Sequence, residues 1–361
     1  MPAPALAFGD QKKTRPSFPI ITGAMAEDTT IMKQLNHVLV SALIMFSLVI
    51  GCPCTQSQGT YNLNFGAIRN AVVFLYLRDD SGSLLAAGTG FLMGAPLKGD
   101  PHRIYVFLVT ARHIADPAWD GCRAVNGTWR AVFNKADYDP QRDSTGTVEL
   151  AFTNQGPNRL VWHYPKDESV DIAVAMINWD DVESNHVANV PMGVANLPTK
   201  EDLAKMDSGS AVASAGLLLG ASGSQRNYPI FKFGYISSIP SEKIPSKCCP
   251  DCTVQMQTEW MVAASLVGGN SGSPIFCAPS LVSLPNQLTR AVLLGVQSTS
   301  FEGTDVAGMA PVSYLIDILR DWNLPDVDLS PAIPSSPDTV AAPTAGHPES
   351  NARPASLSPP H

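Results

Sequence analysis

The sequence predicts a mainly β-sheet protein whose last folded element is a helix. Apolar runs rich in branched and aromatic residues recur along the chain between turn residues, which is the pattern of buried strands. Clear examples are residues 71–77, 104–109, 253–264 and 291–300. Near the end, residues 311–322 instead place apolar side chains at helical spacing, with a proline where the first turn of a helix tolerates one. We therefore expect an all-β domain closed by a C-terminal helix.

The composition of the chain changes along its length and divides it into segments. Its 361 residues are 45% hydrophobic and 16% charged, which is enough for one large domain or two small ones. The segments are interpreted as follows: residues 1–31 as an over-long start or a disordered stretch, 32–51 as a signal peptide, 52–66 as a tether, 67–323 as the folded domain, and 324–361 as a disordered tail rich in Pro, Ser and Ala.

The signal-like segment predicts export from the cell. It combines a positively charged start, an apolar core shorter than a membrane-spanning helix needs, and small residues behind that core. Its end, Val49-Ile50-Gly51-Cys52, resembles a bacterial lipobox, so Cys52 is a candidate for lipidation and membrane attachment. An ordinary cleaved signal and a retained anchor are the alternatives. We expect a secreted protein or one of the bacterial cell envelope, either periplasmic or anchored as a lipoprotein.

The charge and cysteine content of the chain bear on whether it binds nucleic acid, forms disulfides or holds a metal. The net charge is −8 and no cluster of Lys and Arg stands out, so the sequence has no electrostatic footprint for nucleic acid. The seven cysteines are odd in number and unevenly spaced, and they define no disulfide framework. Cys249 and Cys252 form a Cys-x-x-Cys pair without a second ligand pair, which favours a disulfide-closed loop over a zinc site. We expect neither a metal nor a cofactor.

Residues 265–276 have the composition of a tight turn that presents one hydroxyl and then enters a buried strand. Gly269 precedes Ser271 by two residues and Gly272 follows it directly. These glycines allow backbone angles that a Cβ forbids, and they let a bound molecule approach main-chain N–H groups. Pro274 and the apolar residues after it begin the next strand. Ser271 is therefore the candidate nucleophile.

Two further residues fit the needs of a serine nucleophile, which requires a base and an orienting partner for that base. His113 follows the apolar run 104–109 at the exit of a predicted strand. Asp171 stands at the head of another apolar segment. Asp167 is a nearby alternative, but no strand pattern follows it directly. The candidates occur along the chain in the order His113, Asp171, Ser271.

These motifs and their order resemble the trypsin-like (chymotrypsin-fold) serine proteases, and the serine motif is similar to that of bacterial glutamyl endopeptidases and HtrA-type proteases. The resemblance spans about residues 67–322. It implies two six-stranded antiparallel β-barrels with a C-terminal helix, and a triad of His113, Asp171 and Ser271 that hydrolyses protein or peptide substrates. The N–H groups of Gly269 and Ser271 would form the oxyanion hole. Because residues 324–361 are predicted to be a disordered tail, we expect no PDZ domain of the kind found in full HtrA-type proteins.

The resemblance also assigns residues to substrate binding. Ser265 matches the base of the specificity pocket and carries no charge, and Gly308 matches a wall of that pocket. Ser298 matches a serine that supports the catalytic aspartate. Together Ser298, Thr299 and Ser300 would pair with the substrate backbone. These matches favour a small or apolar residue before the cleaved bond, at P1.

Asn270 bears on whether the proposed protease would need cleavage of a precursor to become active. Trypsins that are activated by cleavage carry an aspartate at the matching position and pair it with a newly freed N-terminal ammonium. A neutral amide cannot form that ion pair. We therefore expect no activation of this kind.

Two other functions fit parts of the pattern. A domain of the same fold could serve the cell envelope as a catalytically inactive binding module. A lipase or esterase would use a Gly-x-Ser-x-Gly motif, but here Ser273 replaces the second glycine. The chain order of the candidate residues also differs from that of lipases and esterases, so the protease remains the favoured interpretation.

Overall fold

Two β-sheet assemblies and a C-terminal helix make up the computed structural model of the chain. The structure describes residues 65–329 except 79–80, 120–127, 153–160, 220, 222, 224, 248–252, 268, 278–290, 302, 323 and 325. The predicted signal peptide, lipidation at Cys52, most of the tether, the Cys-x-x-Cys loop and the tail beyond Leu329 lie outside the described residues. Within the described part of the chain, no helix has the length and apolar character needed to cross a membrane.

The first assembly is an antiparallel sheet with one short parallel strand. After helix α1 (Phe65–Ala71), its strands are β1 (Val72–Arg78), β2 (Leu84–Leu97), β3 (Asp100–Thr110), β4 (Thr128–Asn134), β5 (Thr147–Phe152), β6 (Trp162–His163), β7 (Ala173–Ile177) and β8 (Met192–Gly193). The order across the sheet is β5-β4-β1-β2-β3-β7-β6, and β8 pairs with β2. The outer strands β5 and β6 do not pair with each other among the described residues, so closure of this sheet into a barrel is not seen there.

The second assembly is a closed barrel of six antiparallel strands. These are β9 (Ala211–Gly216), β10 (Ile230–Ser238), β13 (Trp260–Ala263), β14 (Pro274–Cys277), β15 (Val292–Ser300) and β16 (Val306–Pro311), in the closed order β10-β13-β16-β15-β14-β9. A separate hairpin joins β11 (Ile244–Ser246) to β12 (Gln255–Gln257). The predicted single strand over 253–264 is therefore wrong, since this stretch supplies β12 to the hairpin and β13 to the barrel.

Short helices connect the strands, and a longer one ends the fold. They are α2 (Arg112–Ala115), α3 (Trp179–Glu183), a 3₁₀ turn (Val194–Asn196), α4 (Lys200–Ala204) and α5 (Val312–Asp321). Helix α5 buries Leu315, Ile316 and Leu319 in a core cluster that also contains residues of both assemblies. The predicted all-β class, the six-stranded antiparallel barrel and the C-terminal helix are thus confirmed.

The folded part reaches beyond the predicted start of the tail at Leu324. Val327 forms a β-bridge with Leu97, and the N–H of Asp328 donates to the Pro96 carbonyl at 2.9 Å. Apolar side chains between 324 and 329 pack against the core cluster shared by both assemblies. The folded part therefore extends at least to Leu329.

Candidate active site

His113 and Asp171 lie at the same end of two adjacent strands. β3 and β7 pair antiparallel, with Thr110 opposite Ala173. His113 follows β3 in helix α2 and Asp171 precedes β7, so antiparallel pairing brings the two residues together. The carboxylate accepts two hydrogen bonds from His113, from the backbone N–H to Oδ1 at 2.9 Å and from the ring Nδ1–H to Oδ2 at 2.7 Å. These bonds fix the direction in which the imidazole points.

Asp171 is a buried but charged group. The residue is 1% exposed, and the Ser298 hydroxyl donates to Oδ2 at 2.6 Å. Burial alone would raise the pKa of Asp171, but the charge and hydrogen bonds of His113, with the bond from Ser298, outweigh it, so the pKa lies below its ordinary value of 3.8. The ionised carboxylate therefore stabilises the fold above its unfolded pKa, and this contribution is lost only as pH falls through the lower folded value. At neutral pH the charge holds the proton on Nδ1 of His113 and leaves Nε2 as an acceptor.

The serine loop joins β13 to β14 and has a shape that requires glycine. The backbone φ is +93° at Gly269 and +86° at Gly272, and residues other than glycine rarely adopt such positive values. A Cβ on Gly272 would lie 1.9 Å from the Thr89 carbonyl oxygen and 2.3 Å from Thr110 Oγ1. The loop backbone therefore rests directly on β2 and on the end of β3. Because β3 leads into His113, this contact sets the serine loop beside the histidine turn.

Thr89 of the first assembly holds the serine loop by hydrogen bonds. Its N–H donates to the Ser271 carbonyl, and its hydroxyl donates to the Gly269 carbonyl, both at 2.8 Å. The same hydroxyl accepts the N–H of Leu217 at 2.8 Å, while Thr110 Oγ1 donates to the Thr89 carbonyl at 2.7 Å. We call this set of bonds the Thr89 bridge. Sequence reasoning missed Thr89, because its role depends on a contact between residues 180 positions apart.

Ser298 connects Ser271 with Asp171. The Ser271 hydroxyl lies 3.4 Å from the Ser298 carbonyl, to which it donates, while the Ser298 hydroxyl donates to Asp171. Gly88 gives a second link, since a Cβ there would lie 2.8 Å from Ile114 Cδ1 and 3.2 Å from the Ser271 carbonyl oxygen. Ile114 directly follows the histidine. The structure thus brings the three candidate catalytic residues to one place, with a direct histidine–aspartate contact and with Ser271 linked to Asp171 through Ser298.

The main-chain N–H groups of residues 269–273 in the serine loop fall into two sets. Those of Asn270, Gly272 and Ser273 donate to carbonyls of the protein. Those of Gly269 and Ser271 have no acceptor among the residues that the structure describes. No described residue therefore occupies the two N–H groups that the resemblance assigns to the oxyanion hole, and both can donate to a ligand.

The residues assigned to substrate binding lie in two environments. Ser265 and Ser300 are exposed, at the start of the serine loop and at the end of β15. Thr299 is 1% exposed, and its hydroxyl donates to the carboxyl of Glu259 at 2.9 Å. A Cβ on Gly308 would lie 2.4 Å from Glu259 Cδ, so only glycine leaves room for that carboxyl.

Glu259 is a buried acid that sequence reasoning missed. It is 2% exposed and also accepts the Ser246 hydroxyl at 2.7 Å, and no Lys or Arg of the described residues lies within ion-pair distance. Burial above all, and the charge of Asp171, raise the pKa of Glu259 above its ordinary value of 4.5 despite the hydroxyl bonds. The signal in the sequence was an acid directly before the apolar run of β13.

The raised pKa of Glu259 predicts a pH-dependent gain of stability for E259Q. A raised folded pKa favours the neutral acid, so its contribution is full below about 4.5 and is lost as pH rises through the folded value. The neutral amide of E259Q does not titrate, so the variant should gain on the order of 1 kcal/mol on wild type as pH rises from about 5 to about 8. Urea unfolding at both pH values measures this difference.

E149Q is the matched control for E259Q. Glu149 pairs with Arg130 at the surface at 2.9 Å, so its replacement should produce no such gain. A difference between E259Q and wild type that stays constant with pH would contradict the assigned shift.

Comparison with known proteins gives distant structural neighbours only. No family model matches the chain, and no curated protein matches it. Solved structures similar to it include Deg5 (TM-score 0.41, 14% identity, covering 77% of this chain and 99% of that one). The MamO protease domain from Magnetospirillum magneticum matches with a TM-score of 0.41 and 12% identity, covering 70% of this chain and 97% of that one. A thermostable serine protease, AL20, from an extremophilic microorganism matches with a TM-score of 0.38 and 14% identity, covering 70% and 95% respectively. At these TM-scores and identities, the similarity shows no function for this chain.

Proposed function

We propose that this protein is a serine endopeptidase in which Ser271 is the nucleophile, His113 the base and Asp171 the residue that orients the base. The observation that carries the proposal is that the buried carboxylate of Asp171 accepts one hydrogen bond from the backbone N–H of His113 and one from its imidazole, beside a serine loop. A histidine that keeps its proton on Nδ1 in this way can accept a proton at Nε2 at neutral pH.

The first half of the reaction forms an acyl-enzyme. His113 Nε2 accepts the proton of the Ser271 hydroxyl as Oγ attacks the carbonyl carbon of the scissile peptide bond. The charge of Asp171 stabilises the imidazolium that results. When the tetrahedral intermediate collapses, the carbon–nitrogen bond breaks and His113 gives its proton to the leaving amine. Positioned proton transfer of this kind accounts for about 10²- to 10⁴-fold in rate.

The N–H groups of Gly269 and Ser271 would bind the oxygen that becomes negative in the transition state. Neither N–H has an acceptor among the described residues, and the positive φ of Gly269 turns the backbone there. Loss of one such donor typically lowers the rate by about 10²- to 10³-fold.

The second half of the reaction releases the acyl group by the same proton path. A water molecule gives its proton to His113 Nε2 and attacks the ester carbonyl carbon, and Ser271 then leaves with the proton returned by His113. The proton transfers and charge stabilisation in both halves are supplied by the protein's own groups, so this chemistry is complete without a cofactor.

The preferred P1 residue is proposed to be small or apolar. Ser265, at the assigned base of the pocket, carries no charge and is exposed. Glu259 contributes a carboxyl nearby, but it is 2% exposed and its oxygens accept hydrogen bonds from the hydroxyls of Thr299 and Ser246. It is therefore not presented to a substrate side chain.

Labelling with a fluorophosphonate probe, followed by cleavage of a peptide library, tests the proposed function. The probe forms a covalent bond with an activated serine oxygen and releases fluoride. Wild type should be labelled at Ser271 and should cleave after small or apolar residues. S271A, checked for folding by circular dichroism, should do neither.

Each other outcome of this test has a definite meaning. Folded wild type that is neither labelled nor active would refute the protease and favour a binding module. Activity that persists in S271A would exclude Ser271 as the nucleophile. Cleavage after Lys or Arg would refute the P1 proposal and assign Glu259 to the specificity pocket, since its carboxyl lies against Gly308.

A further inference from the structure

We infer that Lys232 is a positioning residue that holds the oxyanion half of the serine loop in its active shape. Its ammonium donates to Asn270 Oδ1 at 3.0 Å and to the carbonyl oxygen of Ser265. Ser265 begins the loop, and Asn270 stands between the two residues whose N–H groups are proposed to bind the oxyanion. This role rests on the proposed function, because it concerns the same loop.

The amide of Asn270 joins the loop to both neighbouring strands. Asn270 is 1% exposed, its Nδ2 donates to the Leu217 carbonyl at 2.7 Å, and its Oδ1 accepts the Val267 N–H at 3.0 Å. Leu217 directly follows β9, and Lys232 lies in β10, which pairs with β9. A single side chain is thus held from two adjacent strands, and the ammonium is the second donor to its Oδ1.

The ammonium has no carboxylate partner within ion-pair distance among the described residues. Its hydrogen bonds from the side chain go to the two loop oxygens. Burial lowers the pKa of Lys232, as expected for a cation that loses water without gaining a counter-charge. A lysine that served only solubility or a surface ion pair would instead project its ammonium into solvent.

The orientation of β10 supports a specific task for Lys232. Phe233 and Tyr235 flank Gly234 on the strand and are 61% and 59% exposed, while Lys232 is half-buried. The opposite facing would bury both aromatic rings and expose the lysine, as the hydrophobic effect prefers. A Cβ at Gly234 would lie 2.0 Å from the Ala263 carbonyl oxygen, so the observed facing is fixed by close backbone packing. The strand therefore leaves the two rings exposed on one face while its other face brings Lys232 to the loop.

This arrangement replaces a freed N-terminus with an internal cation. The neutral amide of Asn270 cannot form an ion pair, but it accepts a hydrogen bond from Lys232. The loop thus obtains its cationic anchor from within the barrel. The active shape of the loop then depends on Lys232 and requires no cleavage of the chain.

Replacement of Lys232 by Met tests the inference, because Met keeps much of the length of the side chain and removes the ammonium. K232M should lower kcat about 10- to 100-fold with KM within about 2-fold, since the donors are misplaced only for the transition state. The affinity for a peptide aldehyde, which forms an oxyanion with the active serine, should fall by about the same factor. K232R should keep kcat within about 5-fold, because a guanidinium can donate to both oxygens.

Amide hydrogen exchange of the peptide spanning 265–273 gives a readout that does not depend on activity. K232M should raise its exchange rate about 10-fold or more, whereas K232R should not. K166M is the matched control, because Lys166 pairs with Asp321 at the surface at 2.9 Å. It should change neither the exchange rate of this peptide nor kcat. If K232M fails to fold, K232Q carries the same comparison.

The outcomes separate this inference from the proposed function. Wild-type kcat, aldehyde affinity and loop exchange in folded K232M would overturn the role of Lys232. An increase in KM alone would likewise contradict it, because ground-state binding would then be what changed. If wild type is neither labelled nor active, the proposed protease fails, and the exchange comparison alone decides whether Lys232 holds the loop.

Discussion

Replacing Asp171 by Asn should lower kcat about 10⁴-fold while leaving the protein folded. The backbone N–H of His113 needs an acceptor at the Oδ1 position, which only the amide oxygen of Asn can supply. The NH₂ group must then face the imidazole Nδ1, which becomes an acceptor. The proton of the ring moves to Nε2, where the base must accept the proton of Ser271. The histidine is thus held in the wrong tautomer as well as deprived of a negative partner.

The measurements for D171N are kcat on a cleaved peptide and the rate of fluorophosphonate labelling, with circular dichroism to verify folding. D167N is the matched control. Asp167 accepts bonds from Ser169 and from the partly exposed Lys243. Its loss should change kcat less than about 5-fold. Equal losses in D171N and D167N would remove Asp171 from its proposed role.

Replacing Gly272 by Ala should be among the most damaging single changes in the domain. The new Cβ would lie 1.9 Å from the Thr89 carbonyl oxygen and 2.3 Å from Thr110 Oγ1. Neither atom can withdraw freely, since the first is backbone and the second donates to that same carbonyl. The φ of +86° adds strain of its own. We expect a loss of at least about 4 kcal/mol in the free energy of unfolding, and no peptide cleavage by any protein that folds.

G82A separates the clash from the backbone strain. Gly82 has nearly the same φ, +83°, but a Cβ there would meet nothing within 4 Å. Its replacement should destabilise by about 1–2 kcal/mol, the strain of the left-handed conformation alone. Urea unfolding of both variants gives the comparison. A similar loss in G272A and G82A would mean that the serine loop can move away from β2 without consequence.

The sequence predicts the candidate catalytic residues because each is coded locally. His113 and Asp171 stand at the ends of apolar strands, and Ser271 lies in a glycine turn, so patterns within about ten residues make all three candidates, and the resemblance to trypsin-like proteases assigns their roles. The closing helix is predicted for the same reason. Its position required correction only in detail, since Pro311 ends β16 and precedes the first helical residue.

The residues that support the site could not be predicted, because their roles depend on distant pairings. Thr89 lies 180 residues from Gly269, and Lys232 lies 38 from Asn270. Glu259 is separated by 40 residues from Thr299, to which it is bonded. Alternation along β10 identifies a strand but not which face turns inward, and close backbone packing at Gly234 decides that question.

Within 253–264 the break between β12 and β13 has a similar long-range cause. The Thr258 N–H donates to the carbonyl of Ser169 in the first assembly, at 3.0 Å, and so leaves the strand ladder. No local pattern in this apolar stretch encodes that partner. The single predicted strand fails at the point where the two assemblies meet.

The Thr89 bridge has a consequence for how an opened molecule behaves. The bridge ties carbonyls on both sides of Asn270 to a strand of the other assembly. Any motion that parts the assemblies must break these bonds, so the serine loop loses its support as soon as the assemblies separate. For the proposed endopeptidase, a partly unfolded copy would then be a substrate for intact copies while being unable to cleave them.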